Sequence, residues 1–393
     1  MTLVEFFEQA RDTEGGNSFA GYVENVSRDF LAGFTDAERQ HLLAEAVRLP
    51  GAALSLLATL PEHPSPDLVA RLIKLDEQLK AVDTPAAHKL QLGLVAVLAG
   101  SGETAAMNHL RETFEREPDR RQELAMGLAQ QPSGANWPLL LRSLPIVEGM
   151  AAQEVLMQLA SADRVSNDPQ ALRQVLLCGL KLGADGGEHA VRLLEKWTGK
   201  HLADSGAKPE AALAAWQKWF AGEYPDLAPP MLAGESDTNR WSAADILAHL
   251  ASPEGRQRHA QQGALVFEKA QCAKCHRYGG RGESIGPDLT TFGRRFHKKE
   301  ILESILYPSQ VISDQYASKT MTTTTGLSYT GIVTPVAGNK VVVLQANGEK
   351  IAIPKSRIDE VLPSKKSAMP EGLLNALTLE EIADLFAYLT GAN

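Results

Sequence analysis

Cys272-Ala273-Lys274-Cys275-His276 spells C-x-x-C-H. Two thiols about one helical turn apart can reach the two vinyl groups of a haem, and an imidazole directly after them can rise under the iron. Three cysteines and ten histidines among 393 residues would give that string by chance in roughly one of a few thousand sequences of this composition. A structural zinc site needs two further ligands at comparable spacing, and the remaining cysteine, Cys178, lies 94 residues upstream. A thioredoxin-like redox pair needs a βαβ setting, whereas Gly263 to Ala270 reads as a helix running directly into the motif. The chemistry indicated is covalent attachment of one haem c through Cys272 and Cys275, with His276 as an axial ligand of the iron.

Other residues fit the same pocket. Gly286-Pro287-Asp288-Leu289 begins ten residues after His276, where the Pro287 carbonyl can accept the imidazole N–H and fix the ring's orientation. Ser367-Ala368-Met369-Pro370 offers a thioether as sixth ligand, and a His/Met pair raises the iron's potential and closes its coordination sphere. His297 and Met321 compete more weakly for that place, the first following two arginines in a segment expected to be solvated, the second lying in an expected strand. From Lys269 to Glu300 there are eight Lys and Arg against three acids, in a chain of net charge −9. A basic rim of this kind would steer an acidic redox partner and respond to salt, and Arg294 and Arg295 are candidate partners for haem propionates. The bland alternative is an ordinary solvated surface.

The elements that must hold these residues follow from hydrophobic period. Up to about residue 230 helix follows helix, with apolar residues at three- and four-residue spacing: 36–48, 66–80, 88–99, 104–117, 151–160, 169–182, 187–198 and 209–220. Thr35 to Glu38 has the capping-box arrangement. Helix pairs recur at roughly 35 to 45 residues, which fits a HEAT-like α-solenoid over 1–230. Trp216 and Trp219 share one face of their helix and are expected to pack against a neighbour. Residues 221–240, rich in Pro, Gly, Asp and Ser, mark the domain boundary, and 231–253 read as a linker and connecting helix. Helices are expected at 242–250, 255–270 and 298–306, with a loop-rich stretch between the last two. The period then changes to short segments rich in Thr, Val and Ile between 316 and 362, separated by turns at Gly326, Gly338 and Asn347-Gly348, which predicts a small antiparallel meander. A last helix is expected over 378–389, with a capping box from Thr378 to Glu381.

Taken together, Gly263-Ala-Leu-Val-Phe267, CAKCH, GPDLT, Glu300 to Tyr316, TGLSYTGIV and SAMPEGLLNALTLEEIADLFAYL occur in an order that resembles the c-type cytochrome domain of planctomycete and verrucomicrobial (PVC-type) bacteria, a variant of the class I cytochrome c fold. The resemblance covers 254–393. It implies thioethers at Cys272 and Cys275, proximal His276 supported by Pro287, distal Met369, and a crossing of the first helix at Gly263 and Phe267 with the last near Tyr388. His276 and Met369 are 93 residues apart, more than a minimal cytochrome uses, and the excess is the β insertion of 316–362. The expected fold is thus mainly α: a HEAT-like solenoid followed by a monohaem cytochrome c domain with a small antiparallel insertion.

The resemblance further implies an electron-transfer protein rather than an enzyme, accepting electrons from a sugar or alcohol dehydrogenase and passing them to another carrier, and it allows this chain to be a piece of a larger protein. A peroxidase-like haem enzyme and a haem-based sensor or scaffold are the alternatives, and a homodimer stays open. Haem attachment to C-x-x-C-H is completed outside the bacterial cytoplasmic membrane, so the expected location is periplasmic; the opening MTLVEFFEQAR does not read as a signal peptide, and the leader is taken to have been removed. The acidic balance argues against general nucleic-acid binding, and no apolar run approaches the roughly 18 residues of a membrane span. Cys178 reads as a buried inert thiol. His41, His88, His109, His189 and His249 lack the paired spacing metals need.

Overall fold

The computed structural model describes residues 43–48, 50–57, 60, 64–204, 206–225, 227, 229–232, 239–310, 316–345, 349–364 and 367–391. The expected capping box at Thr35 to Glu38, the first part of the 36–48 helix, His41, residues 311–315 and the Asn347-Gly348 turn lie outside them. Helices here begin where a short polar residue meets proline. After α1 (Pro50–Leu57), α2 (Pro66–Leu79) and α3 (Pro85–Gly100) start on Ser65 and Thr84, whose hydroxyls accept the N–H groups of Leu68 (3.3 Å) and Ala87 (3.2 Å). Proline is well placed at the first helical position, since the N–H it lacks would have no intrahelical partner. That is why α3 starts three residues earlier than its apolar pattern predicts.

The first compact unit takes in Met1–Glu115, Arg120–Ser143 and Ser161–Asp163. Besides α1 to α3 it contains most of α4 (Thr104–Arg116), then α5 (Arg121–Ala129) and α6 (Trp137–Ser143). Helix α3 packs against α1, α2 and α5. Gly127 marks the closest approach, because a Cβ there would lie 2.7 Å from Cγ1 of Val95. Leu90, Leu94, Leu110, Phe114 and Leu124 are fully buried between these helices.

The second unit takes in Arg116–Asp119, Leu144–Ala160 and Arg164–Asn393, so the 231–253 segment lies inside it. It opens with α7 (Gly149–Ser161), α8 (Pro169–Leu182), capped by Asp168, α9 (Gly187–Thr198) and α10 (Pro209–Glu223). On α10, Trp216 is fully buried and meets Trp219 edge to face at 5.2 Å. Next come α11 (Ala243–Ala251), the one-turn α12 (Pro253–Arg256) and α13 (Ala260–Lys269). The single helix expected over 255–270 is therefore two, separated at Gln257 to His259. A two-stranded ribbon follows, β1 (Arg277–Tyr278) and β2 (Arg281–Gly282), then α14 (Phe292–Arg295) and α15 (Lys298–Leu306).

Five strands form the insertion: β3 (Lys319–Thr323), β4 (Ser328–Val336), β5 (Lys340–Leu344), β6 (Lys350–Pro354) and β7 (Ile358–Pro363). Their order is β6-β5-β4-β3-β7, all antiparallel. The first four make the expected meander, while β7 crosses back to pair beside β3. Strand β4 serves both neighbours: its first half pairs with β3 and its second with β5, and the change falls at Gly331, where a Cβ would lie 1.9 Å from the Leu344 carbonyl oxygen. Met321, Val341, Val343 and Ile353 form the sheet's own small core.

The chain closes with α16 (Leu379–Thr390), capped by the Thr378–Glu381 box. It crosses α13 backbone to backbone: a Cβ on Gly263 would lie 2.0 Å from the Asp384 carbonyl oxygen. Phe267, Leu302, Leu377, Ile382 and Phe386 fill the core around this crossing. Among the described residues no helix is long and apolar enough to cross a membrane.

Candidate functional site

Helix α13 ends at Ala270, whose N–H still bonds to Val266 O at 2.8 Å. Gln271 then takes a left-handed conformation (φ 64°) and turns the chain into a 3-10 segment, Cys272–Lys274. Within that turn the N–H groups of Cys275 and His276 both donate to Cys272 O, at 3.1 and 2.9 Å. One tight turn thus fixes both thiols and the imidazole, and Cys272 packs on the core built by α13 and α16.

The following loop laces itself onto the motif. Glu283 N–H donates to Ala273 O at 3.0 Å, and Ile285 and Gly286 N–H both donate to Cys275 O, at 3.1 and 2.7 Å. Gly286 lies so close to the imidazole that a Cβ would come within 2.9 Å of Cε1. Pro287 O lies 3.0 Å from His276 Nδ1. A carbonyl can only accept, so Nδ1 carries the proton and the lone pair sits on Nε2. Among the described residues Nε2 makes no hydrogen bond of its own. Burial pulls the imidazole below its usual range against the opposing Pro287 bond, which favours the neutral ring a metal needs.

The thiols behave differently from those of a redox pair. Burial pushes Cys272 up to about 11 and raises Cys275 as well, whereas the attacking cysteine of a thioredoxin-like motif is activated by a lowered pKa. No group of three or more His, Cys, Asp or Glu that could hold a metal ion occurs among the described residues, so a structural zinc has no donor set there. Cys178, on α8, is buried and pushed up to about 12 by that burial.

Between His276 and the lacing loop stands the β1–β2 ribbon. It pairs Arg277 with Gly282 and Tyr278 with Arg281, around Gly279 (φ 55°) and Gly280 (φ 88°). Two consecutive positive φ values are the signature of a type I′ hairpin, whose twist matches the strands it joins. This hairpin is not foreseen in the sequence reading, although Gly-Gly between Tyr278 and Arg281 is its signal. Tyr278 turns inward to Tyr388 (4.3 Å between ring centroids) and Phe267 (6.4 Å), which itself meets Tyr388 at 5.7 Å.

Met369 lies half-buried in the loop between β7 and α16. Its N–H donates to Ser367 Oγ, and Ser367 N–H to Ser309 Oγ, both at 3.1 Å, which ties the loop to the segment after α15. The two competitors have other employment. His297 is the N-cap of α15, with Nδ1 accepting the Lys299 N–H at 3.2 Å and Glu300 completing a capping box. Met321 is buried in the core of the sheet. Arg294 and Arg295 end α14 as exposed side chains, Arg295 over the Phe296 ring at 5.5 Å.

The local surplus of positive charge is also redistributed. Lys269 pairs with Glu381 and Lys298 with Asp119, both at 2.5 Å, and Lys299 is buried against Glu148.

Residues 260–335 match the cytochrome c family model. No curated protein matches the chain. The matched stretch runs from α13 into β4 and takes in the C-x-x-C-H turn, Pro287, Arg294 and Arg295; it ends before Met369. This cytochrome c domain supports a haem-binding, electron-transfer role and implies covalently bound haem c. The residues present fit that group: two thiols and an imidazole on one turn, with the imidazole's Nδ1 held by Pro287 O and its Nε2 open.

Proposed function

We propose that the chain is a periplasmic electron carrier holding a single haem c with His/Met ligation, within a PVC-type cytochrome domain over 254–393 that follows HEAT-like helical repeats. The observation that carries this reading is the bond from His276 Nδ1 to Pro287 O at 3.0 Å, which aims Nε2 away from the loop on the turn that also carries both cysteines. When bound, the haem supplies a one-electron iron couple. Cys272 and Cys275 tether it through thioethers, which prevents its loss. His276 ligates through Nε2, and Pro287 keeps the ring in one tautomer and orientation. Met369 would supply the second protein ligand to the iron; its loop is anchored through Ser367 and Ser309, and His297 and Met321 are engaged elsewhere. Arg294 and Arg295 neutralise the propionates. The donor is a sugar or alcohol dehydrogenase and the acceptor another carrier, with the helical repeats serving as a docking scaffold.

A fully ligated iron excludes peroxide, which separates a carrier from a haem enzyme. In the haem-loaded protein, Met369→Ala should lower the reduction potential and open the iron to cyanide. An unchanged spectrum and no cyanide binding would remove Met369 from the iron.

A further inference from the structure

The eight cations between Lys269 and Glu300 are not one rim. Lys269, Lys298 and Lys299 are neutralised by Glu381, Asp119 and Glu148. Lys274, Arg277 and Arg281 are exposed and form no salt bridge among the described residues, although the Arg277 charge acts on Asp288. All three stand on the C-x-x-C-H turn or on the hairpin that follows it. Two acids lie near them: Glu283 faces Lys350 at 3.9 Å, and Asp288, which accepts the Thr290 N–H at 2.8 Å, offsets part of the Arg277 charge.

The hairpin is also stiff. A Cβ on Gly282 would lie 2.2 Å from His276 O, Gly279 N–H donates to Thr290 Oγ1 at 3.0 Å, and Arg277 O accepts the Leu289 N–H at 2.8 Å. Directly across the ribbon from Arg281 is Tyr278, half-buried and stacked on Tyr388. Arginine and tyrosine on a rigid base are the residues that anchor protein interfaces, because little ordering is left to do on binding.

Building on the electron-carrier reading, we propose that the Arg277–Gly282 hairpin, with Lys274, is the docking surface for an acidic redox partner, so that electrons pass on the His276 side of the haem domain. Charge complementarity selects the occupant: three exposed cations without a salt bridge here, on a chain of net −9, attract carboxylates and raise the encounter rate in a salt-dependent way.

The test uses the full haem-loaded chain and an Arg277→Glu/Arg281→Glu double variant, oxidised in stopped flow by anionic hexacyanoferrate(III) and by cationic tris(phenanthroline)cobalt(III). At low salt the double variant should react about tenfold more slowly with the anion and faster with the cation, the two effects fading together as ionic strength rises. Lys298→Glu, whose wild-type charge is already paired, should change either rate far less. Unchanged rates, or equal changes with both oxidants, would overturn the proposal. So would sedimentation of the wild type as a dimer that the double variant dissociates, since the patch would then serve a second copy. Failure of the carrier reading shows separately, as a chain that takes up no covalent haem. In that case retention of the haem-free chain on immobilised poly-L-glutamate still decides the patch: loss of retention in the double variant upholds an acid-binding surface, and equal retention refutes it.

Discussion

His109 in the first unit and His276 in the second each turn a ring nitrogen to a fixed acceptor, but only one of them is closed. His109, 6% exposed, meets Asp76 Oδ2 at 2.8 Å through Nε2 and Glu77 Oε1 at 3.7 Å through Nδ1. Asp76 is held in turn by Arg120 at 2.9 and 3.2 Å. Burial alone would raise the Asp76 carboxyl, but hydrogen bonds from His109 and Arg120 outweigh it and hold the group below its ordinary range. His276 has one neutral acceptor and an open Nε2. The first arrangement is a satisfied network that fixes helix positions; the second fixes one ring nitrogen and leaves the other free. Burial is therefore no guide to which histidine does chemistry. The free nitrogen is.

The sharpest way to break this contrast is to remove the tether. Cys272→Ala/Cys275→Ala should lose all covalent haem while the far-ultraviolet circular dichroism stays helical; normal covalent haem in that variant would undo the motif assignment. The network should answer to stability instead. Asp76→Ala leaves Arg120 and His109 without their buried acceptor and should cost about 3 kcal/mol in urea unfolding of the first unit. His276→Ala in the haem-free chain should cost about 1 kcal/mol, one hydrogen bond. Equal costs would erase the distinction.

Gly263→Ala comes next, at about 1–3 kcal/mol, because the α13–α16 crossing must open to admit a methyl group. The smallest effect is the pH dependence. Asp76 has a depressed folded pKa, so its contribution is present above the unfolded carboxylate value and is lost as pH falls through the folded one. Acid titration of wild type should therefore lose stability below about pH 4, more steeply than Asp76→Asn.

Local geometry around the motif is largely legible from sequence. The C-x-x-C-H spacing requires a single turn, and the turn is there; Pro287 faces the imidazole as its offset implied. Helices α8, α9 and α15 run where apolar period places them, because their caps are short-range. What escaped depends on partners distant in sequence or on backbone detail. Strand β7 pairs with β3 rather than β6, and period 2 says nothing about which edge a strand joins. Helices α5 and α6 were overlooked because η-turns at Pro118–Arg120 and Gly134–Asn136 interrupt the pattern on either side. His297 looked like a spare ligand, since histidine is not among the preferred capping residues. The hairpin at 277–282 was hidden by its length, two residues a strand.

Covalent attachment of haem through Cys272 and Cys275 is tested most directly by an absorption spectrum of protein matured with a haem-attachment system, oxidised and reduced, before and after acid-acetone extraction. Haem that stays with the protein, with a sharp reduced α-band and the weak far-red iron–sulfur band when oxidised, is the expected result. Haem that leaves with the solvent would contradict it.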